Sequence, residues 1–101
     1  MKILKYYTKN GHNFGVESDI PPRAGIKGVY VQLPDRKEPV KLRALKTYQS
    51  DSYWNKSPTL RSPQIDAWLR NNKYHEGQLF SADFDATEDV HIYSNIKPYD
   101  E

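Results

Sequence analysis

Lysines, arginines and aromatic side chains are interleaved through the middle of the chain. Cations neutralise phosphates and flat rings stack on unpaired bases, so this combination is suited to holding nucleic acid. The residues that we expect to form such a site are Tyr30, Gln32, Lys41, Arg43, Lys46, Tyr53, Trp54, Lys56 and Arg61. They predict a small nucleic-acid-binding domain with DNA or RNA as its partner. The structural alternative is that the tyrosines fill a core and the lysines keep a sheet edge solvated.

The histidines suggest a second kind of chemistry. His75 is followed directly by Glu76, and His91 lies further along the chain. A histidine and a carboxylate beside a cation could cleave RNA without a metal ion, as a small ribonuclease or toxin does. A histidine at the end of a helix more often hydrogen-bonds the last carbonyl groups. We therefore favour a protein without enzymatic activity and keep these three residues as the catalytic set of the alternative.

A third hypothesis is a protein-interaction module. Tyr53, Trp54 and Arg61 belong to the residue types that dominate binding energy at protein interfaces. They lie within residues 48–62, a polar stretch that is long for a connection in a small domain. A protein partner would co-purify with the chain, and its binding would depend less on salt than nucleic-acid binding does.

The acidic residues near the end of the chain are Asp83, Asp85, Glu88 and Asp89. Carboxylates of this kind bind magnesium or calcium, but the glycine and the distal glutamate of an EF-hand loop are missing. A charged turn between two strands accounts for them. The chain has no cysteine, which excludes disulfides and cysteine-ligated zinc. We expect neither a metal ion nor another cofactor.

Charge is distributed unevenly along the 101 residues. Residues 1–76 contain 14 Lys and Arg against seven Asp and Glu, whereas residues 77–101 contain one Lys against six acids. This asymmetry predicts an anion-binding surface that is formed by the basic part of the chain and bordered by the acidic part. The alternative is that the two parts neutralise each other in the fold. No apolar run is long enough for a secretory signal or a membrane span. We expect a cytoplasmic protein of the kind carried by a phage or plasmid, with no membrane association.

Strand patterns dominate the chain. Residues 28–33 and 40–45 alternate between apolar and polar side chains on either side of a proline-bracketed polar turn, which predicts a central hairpin. Residues 2–8 and 12–17 predict another hairpin, joined by Asn10-Gly11, a dipeptide that favours a tight turn. Residues 78–84 and 90–93 predict a third. Residues 94–101 read as a flexible tail.

One helix is predicted, over residues 63–74. Ser62 is suited to the N-cap and Pro63 to the first helical position, where a missing N–H costs nothing. Ile65, Trp68 and Leu69 then form an apolar stripe with helical spacing. The elements together predict a single α+β domain over residues 1–101, in the order ββ-ββ-α-ββ. Its three hairpins would form an antiparallel β-sheet or small barrel.

Overall fold

Seven strands and one helix account for most of the chain that the structure describes. The computed structural model describes residues 1–8, 11–16, 27–42, 59–87 and 89–99. In chain order the elements are β1 (Lys2–Tyr7), β2 (Asn13–Val16), β3 (Gly28–Val31), β4 (Val40–Lys41), β5 (Thr59–Leu60), α1 (Pro63–Asn71), β6 (Leu79–Ala86) and β7 (Val90–Pro98). No helix in these ranges is long and apolar enough to cross a bilayer.

The strands form one sheet in the order β4-β3-β7-β6-β1-β2-β5, curled into a half-barrel. All neighbours are antiparallel except β3 and β7, which run parallel from Gly28 opposite Val90 to Val31 opposite Tyr93. The α+β class with a barrel-like sheet is therefore confirmed. The arrangement as three hairpins is not confirmed. The parallel pair makes the sheet mixed, and β5 lies within a stretch that we expected to be a loop.

The concave side of the sheet, here called the inner face, holds the core. Alternation along each strand directs one set of side chains to this face. Its buried apolar residues are Leu4, Tyr6, Phe14, Val16, Val29, Val31, Leu33, Val40, Leu42, Leu60, Phe80, Ala82, Tyr93 and Ile96. Two tyrosines, Tyr6 and Tyr93, are thus core residues, in which the aromatic ring supplies apolar area.

Helix α1 closes one end of this core through aromatic contacts. Trp68 lies 6.1 Å, between ring centroids, from both Phe14 and Phe80, and Tyr74 packs edge-on to Phe80 at 4.9 Å. Ile65 and Leu69 are buried with Trp68. The predicted apolar stripe therefore faces the sheet, and α1 covers the inner face alone.

The ends of α1 follow from its sequence. Ser62 is the N-cap, and its Oγ accepts a hydrogen bond of 3.0 Å from the backbone N–H of Ile65, while Pro63 occupies the first turn. The helix ends at Asn71, three residues earlier than predicted. Asn72 adopts an extended conformation there, and its side-chain amide donates to the carbonyl oxygen of Trp68 at 2.7 Å.

The last strand corrects the expectation of a tail that begins at residue 94. β7 continues to Pro98, Ile96 is 3% exposed, and the N–H of Tyr99 donates to the carbonyl of Leu79. The continuation was missed because Asn95 interrupts the alternation. Asn95 has a φ of 51°, and the register with β6 shifts there by one residue, which is a β-bulge.

Replacing Ser62 with Ala removes the acceptor for the Ile65 N–H and should lower the free energy of unfolding by about 1 kcal/mol. Chemical denaturation followed by tryptophan fluorescence measures this loss, because Trp68 lies in the core. Ser62→Asp keeps a capping oxygen and serves as the matched control. Equal stability of Ser62→Ala and the parent chain would contradict the capping role.

Candidate functional site

The convex side of the sheet, here called the outer face, carries the predicted binding residues of the central strands. Neighbouring strands place Lys41, Tyr30, Ile92 and Asp85 in one row from β4 through β3 and β7 to β6. Their strand neighbours Val29, Val31 and Val40 point inward and are at most 7% exposed. Because α1 packs on the inner face, it leaves this row open.

Tyr30 is supported from below by glycine. A methyl group placed on Gly28 would come within 3.1 Å of Tyr30 Cε2, so the ring lies over the backbone of its own strand. Tyr30 remains partly exposed, and Lys41, directly opposite on β4, is exposed. A ring supported on one side and accessible on the other, with a cation beside it, can stack on a planar group and attract an anion.

The predicted site is only partly described. Tyr30, Gln32 and Lys41 lie together on the outer face. Arg61 is exposed but follows β5, at the opposite edge of the sheet from β4, so it belongs to a different surface. The other predicted residues, which lie outside the described ranges, are Arg43, Lys46, Tyr53, Trp54 and Lys56.

A second cation–aromatic pair on the outer face was not among the predicted site residues. Lys5 Nζ lies 5.7 Å from the centre of the Tyr7 ring on β1. The ring covers Gly15 of β2, where a methyl group would come within 2.3 Å of Tyr7 Cε2. In the sequence, the alternation along β1 indicates this pair: if Leu4 and Tyr6 point inward, Lys5 and Tyr7 point outward together. Ile3 obscured it, because it places an apolar side chain at an outward position.

A cleft of about 570 Å³ opens where β3 ends beside the bulge of β7. Its lining includes Gln32, Leu33, Arg36, Asp83, Asn95 and Lys97. Gln32 follows Tyr30 by two positions on β3, so the cleft lies on the same face as Tyr30 and further towards the end of that strand. The volume falls within the range of about 300–1,000 Å³ that is typical of ligand sites.

Acidic residues on the outer face limit the area that could bind an anion. Asp83 and Asp85 are exposed on β6, between the Tyr30–Lys41 pair and the Lys5–Tyr7 pair. Asp83 accepts a hydrogen bond of 2.7 Å from the Asn95 amide. Asp89 lies 3.6 Å from Lys27 in an exposed ion pair, and Glu88 is outside the described ranges. The described residues contain no group of three or more histidines and carboxylates that could hold a metal ion.

The catalytic set of the ribonuclease alternative is not assembled. His91 is 2% exposed on the inner face, with its ring edge-on to Phe84, so a substrate cannot reach it. His75 is exposed after α1, and its Nδ1 lies 3.2 Å from the carbonyl oxygen of Glu76. The Glu76 carboxylate accepts a hydrogen bond from Thr8. The apolar residues Val90 and Ile92 predict that their side of this strand points inward, and that prediction is wrong: His91 and Tyr93 are buried, whereas Ile92 is 36% exposed.

A polar chain links the end of β1 to α1. The Tyr6 hydroxyl is hydrogen-bonded to Nδ1 of His12, and the His12 backbone N–H donates to Asp66 Oδ2 at 3.0 Å. Arg70 Nε in turn donates to Asp66 Oδ1. Burial raises the pKa of the Tyr6 hydroxyl, and the charges of Asp66 and Glu76 raise it further, although Arg70 opposes them. Tyr6 thus keeps its proton, and the chain fixes the β1–β2 turn against the helix.

Protein-family models, curated proteins and solved structures were compared with the chain, and none of them matches it.

Asp66 should make stability depend on pH. The His12 backbone N–H lowers the pKa of Asp66 below its ordinary value, and Arg70 lowers it further, against the effect of burial. A folded-state pKa below the unfolded value stabilises the fold above the unfolded pKa, about 3.9, and this contribution disappears as the pH falls through the folded pKa.

Asp66→Ala should therefore cost about 1 kcal/mol at pH 7 and progressively less below pH ~4. Thermal or urea unfolding at a series of pH values measures the difference. Asp35→Ala, in an exposed turn, is the matched control and should change little. A cost for Asp66→Ala that stays constant down to pH ~2 would contradict the assignment.

Proposed function

We propose that the outer face binds single-stranded nucleic acid, with Tyr30 stacking on a base and Lys41 contacting the adjacent backbone. The observation that carries this proposal is the Tyr30–Lys41 pair itself. The ring is supported by Gly28, it is partly exposed, and it has an exposed cation directly opposite on β4. Stacking needs a fixed, accessible ring, and phosphate contact needs a cation nearby.

Single strands fit this face better than a duplex. A base in a duplex already stacks on its neighbours, so an exposed ring gains most from a base that is unpaired. The cleft on the same face offers a place for a second such base. The carboxylates on β6 would repel phosphates, so the strand would follow β3 and β4 and avoid the row beyond Asp85.

Tyr30→Ala should weaken binding to a labelled single-stranded oligonucleotide by about 5- to 150-fold, corresponding to a stacking contribution of about 1–3 kcal/mol. Fluorescence anisotropy at low salt measures it. Tyr30→Phe keeps the ring and should bind like the parent chain. If no oligonucleotide of DNA or RNA binds at low salt, or if Tyr30→Ala binds as tightly as Tyr30→Phe, the proposal fails.

Lys41→Ala tests the phosphate contact separately. It should weaken binding to all sequences about equally and reduce the slope of log affinity against log salt by about 0.7, the value for one phosphate contact on a single strand. Lys73→Ala is the matched control. Lys73 is also exposed, but it follows α1, which packs on the inner face. An unchanged slope for Lys41→Ala, or an equal change for Lys73→Ala, would contradict the contact.

One observation favours a protein partner instead. Ile92 lies directly beside Tyr30 in the outer row and is 36% exposed. An apolar side chain next to a tyrosine suits a protein interface. Binding of that kind would survive nuclease treatment and high salt and would be lost in Ile92→Asp. The two functions are therefore separated by the same salt titration.

A further inference from the structure

We propose that the cleft on the same face as Tyr30 receives a guanine base and thereby gives the bound strand a sequence preference. The inference rests on the proposed binding of single-stranded nucleic acid and goes beyond it, because a stacking ring does not distinguish between bases. The base that fits is decided by which hydrogen-bonding atoms of the cleft are already used by the protein and which remain available to a ligand.

The two amide side chains of the cleft already donate hydrogen bonds within the protein. Gln32 Nε2 donates to the carbonyl oxygens of Leu33 at 3.2 Å and Arg36 at 2.5 Å. Asn95 Nδ2 donates to Asp83 Oδ2 at 2.7 Å. Carbonyl and ionised carboxylate oxygens only accept, so each amide must direct its nitrogen to them. Gln32 has therefore used both of its N–H donors and keeps only its oxygen for a ligand, whereas Asn95 keeps its oxygen and one N–H.

The remaining polar groups add a further acceptor and two cations. Asp83 is an acceptor at both oxygens, and the hydrogen bond from Asn95 uses Oδ2. Arg36 and Lys97 are exposed at the cleft and present positive charge. A ligand that fits must accordingly offer several donors on one edge and bring an acceptor or a phosphate towards the cations.

Guanine meets this requirement best among the common bases. Its Watson–Crick edge presents the N1–H and the N2 amino group side by side, a pattern that pairs with carboxylate and amide oxygens. Adenine and cytosine offer one amino group beside a ring acceptor, and thymine or uracil offers a single N–H between two acceptors. None of these bases offers two adjacent donors to one carboxylate, so each would leave an acceptor of the cleft without a partner, which is costly where water is displaced.

The backbone keeps the cleft in this arrangement. Asn95 occupies the left-handed region, with a φ of 51°, at the bulge of β7. Bulges redirect a side chain at the edge of a binding site, and asparagine tolerates this conformation better than most residues. Below it the floor is apolar and fully packed, since Leu33 is 0% and Ile96 3% exposed. Because these two side chains expose almost no surface, contact with a base would come from the polar residues at the rim.

The test uses a 13-nucleotide oligothymidylate with a single replaced base at its centre. A central guanine should raise affinity about tenfold or more over thymine, adenine or cytosine at that position, as is typical of one specific base contact. Hypoxanthine lacks the N2 amino group and should lose most of the gain. 7-Deazaguanine keeps both donors and should retain it. Equal affinity for all central bases would overturn the guanine assignment.

Two variants connect the preference to the cleft. Asn95→Gly removes the side chain but accepts the positive φ, and Asp83→Ala removes the carboxylate. Each should abolish the guanine preference, so that strands with a central guanine and a central thymine bind with equal affinity. Asp85→Ala, two positions further on β6 and outside the cleft lining, is the matched control and should keep the preference. Guanine preference that persists in both cleft variants would overturn the inference.

The outcomes also separate this inference from the function on which it rests. Failure of oligothymidylate itself to bind would overturn the proposed single-strand binding. Binding of oligothymidylate that depends on Tyr30, without any guanine preference, would overturn the assignment of the cleft alone. Circular dichroism melts of the two cleft variants show whether a loss of preference reflects unfolding, and Asn95→Gly serves as the milder change.

Discussion

The packing of Trp68 against Phe14 and Phe80 is the contact on which the organisation of the molecule depends. It attaches the one helix of the described chain to the inner face of the sheet, where the apolar side of every strand is gathered. Burial of these rings is worth several kcal/mol in total, at ~25 cal/mol for each Å² of apolar surface removed from water. With the helix committed there, the outer face retains its polar and aromatic residues for another use.

On the outer face, glycines of the sheet support aromatic rings that remain accessible. Two tyrosines, Tyr30 and Tyr7, lie over Gly28 and Gly15, and each has a lysine nearby. A glycine under a ring lets the ring approach the backbone closely, which fixes its orientation without burying it. The carboxylates of β6 separate the two pairs, so the described part of the outer face carries two separate cation–aromatic pairs.

Much of this arrangement could be anticipated from local patterns. The Ser62 cap and the stripe that contains Trp68 specified the helix, because capping and 3.6-residue periodicity involve only neighbouring residues. Alternation placed Tyr30 and Lys41 on one face. The parallel pairing of β3 with β7 could not be anticipated, since alternation fixes the face of a strand but not the identity of its partner. The continuation of β7 was hidden by the bulge at Asn95.

The candidate site also combines features that local sequence patterns predict with features that depend on strand pairing. The sequence by itself determined the residue types of the proposed binding surface, the helix and its cap, and the excess of cations before residue 77. Only the tertiary structure decided that His91 is a core residue and that Gln32 meets Asn95 and Asp83 at one cleft. Those facts depend on contacts between strands far apart in the chain. Periodicity along a single strand carries no information about such contacts.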